Sequence, residues 1–274
     1  MYKNYKAPRD TKKFSEAVNK LRTFFLGKGF VEVHTQDRLS ILAACEDPTT
    51  VATYKYEGQI WPLPQTGQMW LEYELLTQPE LPGVFCVSTS YRNEPNPTPG
   101  RHERIFPMFE FESRGTMKDL AKLEGELCEY LGLGKASEFP HKDYVELAKQ
   151  YGTEDMSDEY EKKMLADFGR VVFLEHFPEY TSPFWNMRRE GDRANKIDVI
   201  IDGMETIGSA ERSCDPADMR ERFHTISDGG YAELLYHTFG KERVEKELED
   251  FLSLDFFPRY GAGIGMTRLM RALG

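Results

Sequence analysis

Cysteine is scarce in this 274-residue chain, and its four copies, Cys45, Cys86, Cys128 and Cys214, share no paired spacing. That excludes a disulfide-stapled scaffold and a CxxC zinc site, and the thiols read as reduced, as in a cytosolic protein. No apolar run approaches the length of a membrane span, and no signal peptide opens the chain, so a soluble cytoplasmic protein is expected. Positive charge is in deficit: 35 Lys and Arg face 46 Asp and Glu, a formal net charge of −11. A nucleic-acid backbone is held by a basic surface, so this balance argues against binding a long one. Internal repeats and low-complexity tracts are also missing. Apolar residues are plentiful at 40%, enough for the core of one large domain or two small ones.

Periodicity then sorts the chain into elements. Residues 10–28 carry apolar positions at helical spacing, with Asp10 or Thr11 as cap. Strands are expected near 30–34, 53–57, 60–65, 84–90 and 106–113. Thr116 and Asp119 form a capping-box pattern, opening a helix that ends near Gly132 and Gly134. Residues 135–170 are polar and predict two short helices. Strands return near 171–175, 196–201 and 204–212. Two helices broken at Asp228-Gly229-Gly230 fill 216–253, and a strand near 259–264 with a last helix closes the chain. Strands in runs with segregated helices predict an α+β fold with a mostly antiparallel sheet flanked by helices.

Two segments carry chemistry. The first run, Val87 to Glu94, alternates and ends in Arg92-Asn93-Glu94. A Pro-rich loop leads to Arg101 and His102, and a second run from Phe106 to Glu112 alternates aromatic and polar residues. Such a hairpin gathers cations for phosphates and a ring for a flat base around one loop. The second segment is Gly261-Ala262-Gly263-Ile264-Gly265, followed by Arg268 at the start of a helix. Alternating glycines leave one strand face nearly bare, where a flat ligand can approach the backbone.

In this order, the two segments resemble motifs 2 and 3 of class II aminoacyl-tRNA synthetases. The resemblance is closest to the aspartyl, asparaginyl and lysyl group and to the archaeal asparagine synthetase related to it. Phe25 to Thr35 is similar to motif 1, and Trp61 to Gln68 to the amino-acid-binding strand. Val171 to Pro178 with Ser182 to Trp185 looks like a core strand and its turn. Ile197 to Glu205 resembles the metal-binding strands, with Arg212 in register. The resemblance covers nearly the whole chain as one catalytic domain. Residues 135–170 look like a helical insertion, and no stretch is left for an anticodon-binding barrel.

The resemblance implies ATP and Mg²⁺, an aminoacyl-adenylate, and a homodimer built on motif 1. Arg92 is expected at the α-phosphate and the substrate carboxylate, and His102 at the terminal phosphates. Arg268 is expected on the γ-phosphate and the adenine, and Phe106 on adenine's other face. Glu94 is expected near the base, and Arg101 in the same ATP site. Asp198 and Glu205, seven apart on adjacent strands, are the expected Mg²⁺ ligands, since hard oxygens that share phosphate oxygens suit this ion. Glu46 and Gln68 are expected at the α-ammonium, and Glu72 with Arg212 at the substrate side chain. Leu71 stands where aspartyl enzymes carry a lysine, and Glu72 with Arg212 looks more like the asparaginyl pattern. A donor edge would meet Glu72 and an acceptor edge Arg212. Gln36, Ile105 and Thr267 depart from the family pattern in motif 1, beside the adenine ring and before the motif 3 arginine.

The leading expectation is an asparagine synthetase-like ligase with ammonia as acceptor. An asparaginyl-type enzyme serving an unknown acceptor and a non-catalytic amino-acid-binding paralogue are the alternatives. Full tRNA recognition is not expected.

Overall fold

The computed structural model describes residues 10–35 and 48–274. Helix α1 (Thr11–Gly27) starts where Asp10 accepts from the amides of Lys12 and Lys13, and it buries Ala17, Val18, Leu21, Phe24 and Phe25 along one stripe. Strand β1 (Val31–Glu32) follows, then a hairpin of β2 (Ala52–Tyr56) and β3 (Gln59–Leu63). Helix α2 (Gln68–Thr77) comes next, at the end of the segment matched to an amino-acid-binding strand. No helix is predicted there, because Met69, Trp70, Leu71, Tyr73, Leu75 and Leu76 spread apolar surface around the cylinder and leave no stripe to read.

Strands β4 (Gly83–Tyr91) and β5 (Ile105–Arg114) form the predicted hairpin, and α3 (Met117–Tyr130) opens with the Thr116/Asp119 capping box. Residues 135–170 are more than an added helical pair. They supply β6 (His141–Asp143), which joins the main sheet, besides α4 (Tyr144–Tyr151) and α5 (Asp158–Phe168). Then come β7 (Val171–Pro178), the short β8 (Arg189–Glu190), β9 (Arg193–Ile201) and β10 (Met204–Glu211). The segment 216–253 holds three helices, α6 (Pro216–Thr225), α7 (Gly230–Phe239) and α8 (Lys241–Leu252). The second break falls at Gly240, whose φ of +90° only glycine adopts readily. Strand β11 (Arg259–Gly265) and helix α9 (Met266–Ala272) end the fold.

The sheet runs β1-β4-β5-β11-β10-β9-β7-β6, with β8 paired to β9, and only the β1/β4 and β6/β7 pairs are parallel. Its two faces differ sharply. One face presents Phe85, Phe109, Phe111, Ala262, Ile264, Ile207, Val199 and Ile197 to α1, α3 and α9, forming the main core. The cross-strand row Cys86, Glu110, Gly263, Gly208, Asp198 lies on the other face. There, α2 covers the β4–β5 side with Leu71 and Leu75 over Val84 and Cys86, while α4 and α5 cover Val172, Leu174 and Ile200. Between these walls the polar, glycine-rich centre of the sheet is left as a floor.

Candidate active site

The hairpin loop at one end of this floor is tightly fixed. The Arg92 amide donates to Arg104 O at 2.7 Å, and the Arg104 guanidinium donates to Glu94 O and Pro95 O at 2.8 and 2.9 Å. His102 Nδ1 lies 2.9 Å from Glu94 Oε1. The Arg92 guanidinium stands 5.6 Å from the centre of the Phe106 ring. Across the floor, Arg268 at the start of α9 lies 3.5 Å from Glu205 Oε2 and donates to Glu205 O. Arg92, Glu94, Arg101, His102, Phe106, Glu205 and Arg268 all line one cavity of about 190 Å³.

Arg101 lines this cavity and is also held from the side. Its guanidinium makes paired bonds to Glu161 at 2.8 and 2.6 Å and touches Asp158 at 2.6 Å, which commits it to α5. Glu161 also accepts the Glu205 amide at 3.0 Å. Arg101 therefore ties the loop to the wall, while Arg271, donating to Gly100 O at 3.0 Å, ties it to α9.

The three glycines of β11 serve different ends. A Cβ on Gly261 would stand 1.8 Å from Glu112 Oε1, so that glycine makes room for a buried carboxylate rather than for a ligand. At Gly263 a Cβ would meet Met108 Cε at 2.8 Å and Gln68 Nε2 at 3.1 Å. Only Gly263 and Gly265 line the cavity.

A second cavity, about 100 Å³, adjoins the first and shares Arg92, Met108, Glu205, Gly208 and Gly263 with it. Gln68, Glu72, Asn186 and Arg212 line it, and Glu72 and Arg212 are already paired. Arg212 Nε donates to Glu112 at 3.0 Å, its Nη2 donates to Gln68 Oε1 at 3.0 Å, and its guanidinium lies 3.6 Å from Glu72. Glu72 accepts from Arg259 at 2.8 and 2.6 Å and from Asn186 Nδ2 at 2.6 Å. Burial pushes the Glu112 carboxyl up to about 8, against the pull of Arg212. Glu110 is also buried and pushed up by desolvation, while Ser88, Thr66 and the Gly67 amide donate to it.

Glu72 is fully buried within α2. Leu71 takes no part in the cavity. It is fully buried beside Leu75, Val84 and Cys86, so the comparison with a substrate-gripping lysine is not carried by its position, and Lys there would bury an ammonium in an apolar cluster. Thr267 donates to Glu103 at 3.1 Å, and Ile105 is 58% exposed. Glu46 and Gln36 lie outside the described residues.

The Asp198/Glu205 pair is brought together by a bulge. Asp202 and Gly203 turn with positive φ, and the β9/β10 register shifts between Glu205 and Ile207. Without the extra residue, Glu205 and Gly208, three apart, would face opposite sides of the sheet. With it, a Cβ on Gly208 would lie 3.0 Å from Glu205 Oε1 and 3.8 Å from Asp198 Oδ1. Burial works to raise the Glu205 carboxyl but is outweighed by Lys196, Arg268, Arg101 and Arg92, which hold it below the usual carboxylate range. Asp198, however, is taken. Lys196 Nζ lies 2.7 Å from both of its oxygens. No group of three or more metal-ligating side chains exists among the described residues. With Lys196 on both Asp198 oxygens, the pair does not offer the open oxygens that a bridging Mg²⁺ needs.

Sequence reasoning missed Lys196, Glu110, Glu112, Asn186, Glu161 and Arg259. For Lys196 a signal was there: two positions before Asp198 on a strand, it must share its face.

An antiparallel sheet with a motif 2-type hairpin, a glycine strand ending in Arg268 and a two-chambered cleft defines a class II synthetase core. The family model for class II tRNA synthetases (D, K and N) matches residues 2–274, and the chain belongs to that family. The aspartate–tRNA(Asp) ligase of Pyrobaculum aerophilum is 26% identical over 302 residues, covering 98% of this chain and 65% of the relative. The lysine–tRNA ligase of Methanospirillum hungatei is 23% identical, covering 93% and 58%. Among solved structures, asparaginyl-tRNA synthetase from Pyrococcus horikoshii complexed with asparaginyl-adenylate aligns with a TM-score of 0.77 at 20% identity, over 96% of this chain and 64% of that one. The chain spans less than two thirds of the length of each of these three proteins.

Proposed function

We propose that this chain activates an amino acid with ATP, forming an aminoacyl-adenylate and pyrophosphate. The observation that carries this reading is the position of Arg92, which lines both cavities at their junction. Joining a carboxylate to an α-phosphate needs two anions aligned and the developing charge held, and a guanidinium at the junction does both. The nucleotide belongs in the larger chamber, between Phe106 and Arg268, and the amino acid in the smaller.

The smaller chamber favours a neutral amide side chain, as in asparagine. Arg212 and Arg259 already face Glu112 and Glu72, so an added side-chain carboxylate would meet Glu72 as a like charge. Asn186 Oδ1 is buried without a hydrogen-bond partner, and its amide orientation is set by Nδ2 donating to Glu72. A ligand amide brings donors for such acceptors, whereas a carboxylate brings none. The engagement of Arg212 with Glu112 leaves it less available to an aspartate carboxylate, which weighs against the ammonia-dependent reading.

Calorimetry with a non-hydrolysable ATP analogue present tests the assignment. Asparagine should bind about tenfold or more tightly than aspartate, and Glu72→Gln should narrow the gap. Equal or stronger aspartate binding, unchanged by Glu72→Gln, would remove the neutral-side-chain reading.

A further inference from the structure

Lys196 is clasped by a carboxylate and covered by a ring. Its ammonium sits 2.7 Å from each Asp198 oxygen and 3.7 Å from the centre of the Phe177 ring, and its side chain is 14% exposed. It lines the smaller chamber and, with Asp198 and Glu205, a neighbouring cavity beneath α4 and α5. Glu205 lines all three spaces, and Asp198 lines only the last. A divalent ion shared by the two carboxylates would have to displace this ammonium or lie close beside it, at a like-charge cost. Mg²⁺ also demands oxygens in a near-octahedral shell, which an aspartate already clasped through both oxygens does not offer.

We propose that Lys196 is the resident cation of this site. It supplies, at a fixed position, the positive charge that an ion bridging Asp198 and Glu205 would otherwise bring, and the chain binds nucleotide without a metal held between them. The inference rests on the reading of the larger chamber as a nucleotide site. Its chemistry is electrostatic: a preplaced ammonium beside Glu205 costs no reorganisation when phosphate charge arrives.

The test has two arms. In the first, Mn²⁺ is titrated into nucleotide-free protein and followed by electron paramagnetic resonance. Wild type should hold no ion at the pair, Lys196→Ser should gain one site, and Lys196→Arg should behave as wild type. In the second, AMP, which chelates divalent ions weakly, is titrated in EDTA and in Mg²⁺. Wild-type affinity should be the same within about threefold, and Lys196→Ser should lose about tenfold or more in EDTA and recover with metal. Thermal melting confirms that each variant is folded. One Mn²⁺ bound by wild type and unchanged in Lys196→Ser would overturn the proposal. No AMP binding by wild type in either buffer would strike the nucleotide reading instead, and the Mn²⁺ arm would still decide the role of Lys196.

Discussion

At the scale of single residues, the arginines and the ring that line the larger chamber were legible because their placement is local. Arg92 and Phe106 flank the loop of one hairpin, and Arg268 follows its glycine strand directly. The partners that set the charge of the smaller chamber come from far along the chain. Arg259 meets Glu72 across 187 positions and Arg212 meets Glu112 across 100, and no spacing rule links such pairs. Glu124 is a further residue of this kind. It is fully buried, and burial pushes its carboxyl well up, outweighing the Ser209 hydroxyl, with Asp198 and Glu175 adding to the rise. The folded state therefore holds the proton more tightly than the unfolded chain does. This contribution to stability is fully present below about pH 4.5, the unfolded value, and is lost as pH rises through the folded one. Glu124→Gln should remove that loss. Urea unfolding should find the variant more stable than wild type at pH 8, by about 1–3 kcal/mol, with the difference shrinking toward pH 4. A variant less stable than wild type at pH 8 would mean that the carboxylate has an unrecognised partner.

At the scale of elements, alternation and capping signals located every strand of four residues or more, as well as α1 and α3, because each of those helices has one apolar stripe. Helix α2 escaped for want of a stripe, and the bulge in β10 because a one-residue register shift leaves no mark in composition. The glycines of β11 were read as one bare surface, but the structure assigns them separate duties. Gly261→Ala should drive a methyl into Glu112, disturb its bond to Arg212 and destabilise the fold by about 1–3 kcal/mol, with weaker amino-acid binding. Gly265→Ala would meet Arg268 Cδ at 3.7 Å, an ordinary contact, and should fold with near-native stability. Thermal melts of the two variants compare them directly, and equal losses would contradict the division of roles.

At the scale of the whole molecule, the sheet separates two jobs. Its apolar face builds the core with α1, α3 and α9, and its polar face is left open between two helical walls. The strand β1 lies at one edge of this sheet, with Val31 40% exposed and Leu26 of the preceding helix 54% exposed. We propose that this edge, in the segment similar to motif 1, pairs two copies about a two-fold axis. Light scattering at micromolar concentration should give twice the chain mass of 31.7 kDa, and Val31→Asp should shift it toward the monomer. A monomeric wild type would rule the pairing out.

The central claim is that one continuous cleft, with Arg92 at its junction, joins an amino acid to the α-phosphate of ATP. Amino-acid-dependent exchange of labelled pyrophosphate into ATP measures that step without any acceptor. Wild type should support exchange, with asparagine above aspartate, and Arg92→Ala and Arg268→Ala should each lower it by about a hundredfold or more while remaining folded. Exchange at wild-type level in Arg92→Ala, or none in wild type with any amino acid, would contradict the account.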